Sequence, residues 1–193
     1  MVGTSHPPQH PPYLGRDEVR RLGRSASILL TVAALSLGPA AVAIAADGTT
    51  AHADQLAVAV AAHGRADYAT AARLLPPLAE RGYARAQTLL GFMYATGEGV
   101  PQNFDAAAYW YRHAAEQGDP TGQSLLGLIY DKGQGVPLDE VAAYKWLDLA
   151  AARAGKRERE YYVHLRDAVA GKMTTGQLAE AQRLAYEWTQ QQR

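Results

Sequence analysis

The sequence contains no cysteine. Disulfide staples, thiolate metal sites and a cysteine nucleophile are therefore excluded, and a folded form must hold together by packing alone. An excess of charge is missing too, since Lys plus Arg and Asp plus Glu number 19 each. Nothing global steers the chain toward nucleic acid or an anionic membrane. Phenylalanine and tryptophan are scarce, with two and three residues, although there are eleven tyrosines. An alanine-rich chain with so few large rings predicts closely packed helices rather than sheet. Its 193 residues leave room for one domain of ordinary size once a leader is set aside.

Residues 1–46 read as that leader. Met1 to Pro12 is rich in Pro and His, too polar and too stiff to join a core. Arg16, Arg20, Arg21 and Arg24 then precede an uncharged apolar run from Ala26 to Ala46, which closes on Ala41-Val-Ala43 and Ala43-Ile-Ala45. A basic segment, an apolar run and a small-x-small end are the parts of a secretory signal peptide. An uncleaved membrane anchor is the alternative, because about 20 apolar residues can just span a bilayer. Gly38-Pro39 breaks the run ahead of the Ala-x-Ala sites and favours cleavage, and without a cysteine there is no lipoprotein anchor. The stretch before Arg16 is long for a basic n-region, which points to a translation start near Val19. A precursor whose intact mass includes His6 would exclude that start.

The rest of the chain is built on an echo at 36 residues. Gly82 to Pro101 is answered by Gly118 to Pro137, with identities at Gln87/Gln123, Leu90/Leu126, Gly91/Gly127, Tyr94/Tyr130, Gly97/Gly133, Gly99/Gly135 and Pro101/Pro137. Ala107/Ala143, Trp110/Trp146 and Ala114/Ala150 extend the match. A period in this range means stacked supersecondary units. Ala86, Leu90, Met93 and Tyr94 recur at three and four residue spacing and mark the packed face of a first helix, as do Gly122, Leu126, Ile129 and Tyr130. Gly91 and Gly127 lie inside it, where Gly costs about 1 kcal/mol relative to Ala, so a neighbouring backbone is expected to approach too closely for a methyl group. Gly97-Glu-Gly-Val-Pro101 and Gly133-Gln-Gly-Val-Pro137 stop these helices. Asn103 and Asp139 cap the second helices, which bury Ala107, Trp110, Ala114 and Ala143, Trp146, Ala150.

A worn copy precedes the two full ones. Gly64 to Gly82 aligns with a second helix, placing Tyr68 under Phe104 and Leu74 under Trp110; Pro76-Pro77 is expected to kink or shorten it. Its partner helix is expected at about Asp54 to Ala62. After Gly155 the pattern is helical through Ala170 and breaks at Gly171. Thr174 to Gln177 is a capping box that starts a last helix with Leu178, Ala181, Leu184, Ala185 and Trp188 on one face. The expected organisation is therefore leader 1–46, degenerate N-terminal cap 47–81, repeats 82–117 and 118–153, and a capping helical hairpin 154–193.

The pattern Ala86, Leu90, Gly91, Tyr94, then Gly97, Gly99, Val100, Pro101, then Ala107, Trp110, Ala114, Ala115 resembles that of Sel1-like repeat proteins. The second copy departs from it only at Gly122, where that family prefers Ala. The resemblance covers about Gly64 to Arg153. It implies an all-α, α/α solenoid related to tetratricopeptide repeats, acting as an adaptor or scaffold.

No catalytic, cofactor or metal site is legible. Gly97-Glu-Gly-Val-Pro101 lacks the third Gly of a dinucleotide loop, follows no strand, and loses an amide donor at Pro101. Gly171 to Thr174 fails as a phosphate loop because Arg166 stands where the first Gly belongs. His52, His63, His113 and His164 form no metal-ligand spacing and are expected at the surface. No Gly-x-Ser-x-Gly and no His-Glu-x-x-His occurs.

In two-helix solenoids the first helices line the concave side. The outward positions of these are Arg85, Thr88, Phe92 and Ala95, then Thr121, Ser124, Leu128 and Asp131. Phe92 and Leu128 are apolar where solvent alone would select polar residues, which suits contact with a peptide; packing against the neighbouring repeat is the alternative. The function expected from these features is an exported, non-enzymatic scaffold, periplasmic or cell-envelope associated, holding a protein or peptide partner and no nucleic acid. Binding of peptidoglycan or another envelope polymer, or association with a hydrolase, is the alternative, and a retained leader would tether the solenoid to the inner membrane.

Overall fold

The computed structural model describes residues 48–192. The readings of the leader, its cleavage and the translation start lie outside those residues. Among the described residues the chain forms eight helices and no strand: α1 Gly48–Gly64, α2 Tyr68–Glu80, α3 Ala84–Thr96, α4 Phe104–Glu116, α5 Pro120–Lys132, α6 Glu140–Arg153, α7 Lys156–Ala170 and α8 Thr175–Gln191. The chain divides after Ala51, and His52–Arg193 is the unit that carries the stack. Within it the helices succeed one another as an α/α solenoid, α3/α4 and α5/α6 being the two full repeats.

Helix ends follow the residues expected to set them. Asn103 and Asp139 accept hydrogen bonds from the amides of Ala106 and Ala142 at 3.0 and 2.9 Å, satisfying donors a helix start leaves open. Gly97 and Gly133 close α3 and α5 in the left-handed conformation, with φ of 77° and 63°. Thr174 and Gln177 form the reciprocal capping box of α8.

The invariant glycines mark close approach. A Cβ on Gly91 would lie 2.7 Å from Tyr111 Cδ1 and 3.2 Å from the carbonyl oxygen of Ala107, and one on Gly127 would lie 2.8 Å from Leu147 Cγ and 3.0 Å from that of Ala143. Each first helix thus presses on a second-helix side chain as well as on its backbone. Gly99 and Gly135 make the contact between repeats. A Cβ on Gly99 would sit 2.8 Å from the carbonyl oxygen of Tyr68, and one on Gly135 would overlap the backbone of Phe104. Each loop therefore rests on the start of the preceding repeat's second helix.

Gln87 and Gln123, whose identity the packed-face pattern leaves unexplained, complete the seam. Both are buried, and their Nε2 groups donate to the carbonyl oxygens of Ala79 and Ala115 at 3.0 and 3.1 Å. These carbonyls belong to last-turn residues, which lack the usual donor four residues on, and they also accept the amides of Gly82 and Gly118 at 3.0 and 2.9 Å.

Two expectations about the ends change. Of the two outcomes expected of Pro76 and Pro77, shortening does not occur, since α2 has 13 residues, like α3, α4 and α5. Two prolines forfeit bonds to the carbonyls of Ala72 and Arg73, but Leu75 and Leu78 are fully buried on the same helix, each contributing about 1.5–3 kcal/mol. α1 is also longer than expected. At the other end α7 and α8 form as expected, and α8 inserts Ala181, Ala185 and Trp188 against the α6 side of the core. Its outer side carries the exposed Glu180, Arg183 and Glu187, ion-paired at 2.6 and 2.5 Å, as suits a terminal cap.

Candidate functional site

The eight first-helix positions expected to face a partner do not form an open surface. Residues Ala86 to Met93 of α3 are all buried. Thr88 donates its hydroxyl to Asp119 Oδ2 at 2.8 Å, and that oxygen also accepts the amide of Gly122 at 2.7 Å, capping α5. Phe92 is 9% exposed and packs with Tyr111, Leu126 and Ile129; its ring also meets that of His63 of α1 at 5.7 Å. Thr88 reaches forward to α5 and Phe92 reaches back to α1, so the stripe expected to face outward is the seam between successive first helices. For Phe92 the packing alternative is the one the structure takes.

The remaining positions divide between partial burial and exposure. Ser124 is buried, with its hydroxyl on the carbonyl oxygen of Thr121 at 2.9 Å. Asp131 is half-buried and paired with Lys172 Nζ at 2.7 Å, which ties α5 to the turn before α8. Arg85, Ala95 and Leu128 are half-buried, and only Thr121 of the eight is exposed. Accessibility on this side is thus confined to Thr121 and the edges of Arg85, Ala95, Leu128 and Asp131.

His63 corrects a second expectation. Its side chain is 11% exposed rather than at the surface, and its Nε2 lies 3.7 Å from Glu98 Oε2. Burial draws its pKa down while the Glu98 carboxylate pulls it up, and burial has the larger effect. Among the described residues no three His, Asp or Glu side chains gather where they could hold a metal ion.

The exposed aromatic group lies instead on a second helix. Tyr109 of α4 is 54% exposed, and its ring stands edge-on to Trp110 at 4.9 Å and to His113 at 4.5 Å. Trp110 is half-buried, not enclosed as Trp146 is. Exposed Arg112, on the same helix, donates to the Tyr130 hydroxyl at 2.9 Å. In the second copy Lys145 and Leu149 replace Tyr109 and His113. The sequence signal was this difference between copies beside an invariant tryptophan. At Lys145, half-burial draws the pKa down against the opposing pull of Glu116, and its ammonium lies 4.5 Å from the centre of the Trp146 ring.

The family model for the Sel1 repeat matches residues 84–119 and 120–154. Among solved structures, the chain is similar to a protective antigen of uropathogenic Escherichia coli strains that displays an SLR fold. The identity is 29% and the TM-score 0.67, over 72% of this chain and 30% of the antigen. The chain thus spans less than a third of that protein. A Sel1 repeat protein from Oxalobacter formigenes is 40% identical over 49% of this chain and 71% of its own length, with a TM-score of 0.45. No curated protein matches the chain.

Proposed function

We propose that the chain, which carries two Sel1 repeats, is a non-enzymatic scaffold, exported to the periplasm or cell envelope, that holds a protein or peptide partner. One observation carries the reading. The residues shared by the copies are taken up mostly by packing and helix termini, whereas the exposed Tyr109 and the half-buried His113, which flank the shared Trp110, sit where the copies differ. Tyr, Trp and Arg are the side chains that most often dominate protein interfaces, and all three lie within one turn of α4. Thr121 and the accessible edges of Arg85, Ala95, Leu128 and Asp131 offer the first-helix side as the other candidate surface.

Export rests on the basic and apolar pattern of residues 16–46. Among the described residues no helix is long and apolar enough to cross a membrane. N-terminal sequencing of the protein from envelope fractions distinguishes a cleaved leader from a tether.

A photo-crosslinking residue at Tyr109, and separately at Thr121, tests the surface. Adducts to one discrete protein from Tyr109 but not Thr121, competed by the unlabelled chain, support the second-helix surface. Adducts from Thr121 alone return the site to the first helices. The same flat rings also suit stacking on a polymer, which favours envelope glycan as a second reading. Cosedimentation with isolated peptidoglycan that is lost in Tyr109→Ala, with no protein adduct from either position, would establish that reading instead.

A further inference from the structure

α1 turns different residues to its two sides. The inner side is closed: Ala59 and Ala62 are fully buried, Leu56 and Val60 pack into the same cluster, and the ring of His52 stands 6.3 Å from that of Tyr83. On the opposite side Asp54, Ala57 and Val58 are exposed and Ala61 is half-buried, with exposed Arg65 just past the helix end. Val58 is 51% exposed. No Asp, Glu, Lys or Arg occurs between Asp54 and Arg65. A helix that ends a solenoid needs a polar outer face to stay soluble. α8 has one in Glu180, Arg183 and Glu187, which pair along their own helix. α1 carries instead a valine and alanines, with an acid at one end and a base at the other.

The spacing of this stripe identifies what covers it. Asp54, Val58, Ala61 and Arg65 follow one another at intervals of four, three and four residues, the spacing of a seam between two paired helices. Arg65 keeps to the stripe because its amide still donates to the carbonyl oxygen of Ala61, as in a continuing helix. Within one chain the two charges cannot meet, since three turns of helix hold them about 16 Å apart. Among the described residues neither makes an ion pair; Arg65 acts at a distance on the carboxylate of Asp67, which caps α2. Turned end for end about a two-fold axis midway between Ala59 and Val60, however, the stripe is complementary to itself. Asp54 then meets Arg65 of a second copy, Val58 meets Ala61 of that copy, and each contact occurs twice. The small side chains of Ala57 and Ala61 leave room for Val58 and for close approach of the two helices.

We propose that the outer face of α1 is a homodimer interface, in which two copies of the chain pair through antiparallel α1 helices with Asp54 of each on Arg65 of the other. The contact is isologous, as a two-fold dimer requires. Three turns of one helix make a small interface, so the dimer is weak, and its exposed charge pairs make it sensitive to salt. It uses no residue of the α4 surface, so its failure would leave the proposed function standing.

Sedimentation equilibrium of the full chain, from about 10 µM to about 1 mM, tests it. The wild type is expected to pass from monomer toward dimer over that range, less so at high salt. Asp54→Arg and Arg65→Asp each set like charges opposite one another at both ends of the contact and should weaken the dimer by at least about fivefold. The two substitutions together exchange the charges and should restore it. That restoration is specific to the antiparallel arrangement, because parallel helices match each residue with itself. Val58→Glu should leave the chain monomeric with its helical circular dichroism unchanged, since the side chain is exposed. A wild type that stays monomeric throughout, association that the single reversals leave unaltered, or a double variant no stronger than the singles each overturns the interface.

Discussion

Gln123 donates from Nε2 to the carbonyl oxygen of Ala115 at 3.1 Å, while its own Oε1 is buried without a hydrogen-bond partner. Thirty-six residues earlier, Gln87 makes the matching bond to Ala79, but its Oε1 accepts from Gln117 Nε2 at 2.7 Å. Arg153 replaces Gln117 in the second copy. Its guanidinium lies against Gly118 and over the Trp188 ring at 4.7 Å. One repeat thus satisfies its seam glutamine at both ends, and the next satisfies one end only.

The difference predicts unequal costs for the same substitution. Gln87→Leu breaks two bonds and leaves Gln117 only its bond to the carbonyl oxygen of His113. Gln123→Leu breaks one and also removes a buried acceptor that has no partner, which is favourable. Gln87→Leu should therefore destabilise more than Gln123→Leu by about 1–2 kcal/mol. Urea unfolding of both variants with matched m-values measures this; equal losses would mean that the second amide oxygen is satisfied in solution.

Phe92→Glu should cripple the fold. A carboxylate there would enter the cluster of Tyr111, Leu126 and Ile129, and burial of an unpaired charge is among the few causes of losses above about 4 kcal/mol. The peptide-contact reading of the sequence predicts the opposite, lost partner capture with helical signal and melting temperature near wild type, whereas its packing alternative predicts this loss. Thermal unfolding by circular dichroism distinguishes the two, a large fall in midpoint being expected.

Phe92 also shows where the sequence stops being legible. The repeat period, the caps at Asn103 and Asp139, the breaks at Gly97, Gly133 and Gly171 and the start of α8 at Thr174 are local or periodic signals, and each reads directly as geometry. Whether an outward position is open depends on how closely successive first helices approach, which no residue of α3 encodes. Thr88 shows the same dependence, because its partner Asp119 belongs to the next repeat. Tyr109 was visible as a difference between copies, but its exposure follows from the path of the stack.

Loop stacking gives a third test. Alanine at Gly97 meets a strained φ of 77° but finds its nearest neighbour, Gln102 Cβ, at 3.4 Å. Alanine at Gly135 meets φ of 69° and also overlaps the main chain of Phe104. Left-handed backbone at a non-glycine residue costs roughly 1–2 kcal/mol, and overpacking against rigid neighbours adds about 1–3 kcal/mol. Gly135→Ala should therefore be the more damaging by at least about 1 kcal/mol. Similar losses in chemical unfolding would show that the loop yields where it rests on α4.

The two repeat tryptophans are equivalent in sequence and unequal in the fold. Trp146 is 7% exposed, edge-on to Trp188 at 5.9 Å and covered by Lys145. Trp110 remains half-buried beside the exposed Tyr109. Truncation leaves a cavity only where the surroundings close over the site, so Trp146→Ala should cost about 3–5 kcal/mol. At Trp110 part of the ring is already in water, and the loss should fall below that range. Trp110→Ala should instead weaken a partner held at α4, whereas Trp146→Ala should act through stability. Measuring unfolding and crosslinking at Tyr109 in both variants separates these effects. If Trp110→Ala unfolds the chain as severely as Trp146→Ala and leaves crosslinking intact in the folded fraction, then Trp110 serves the core alone.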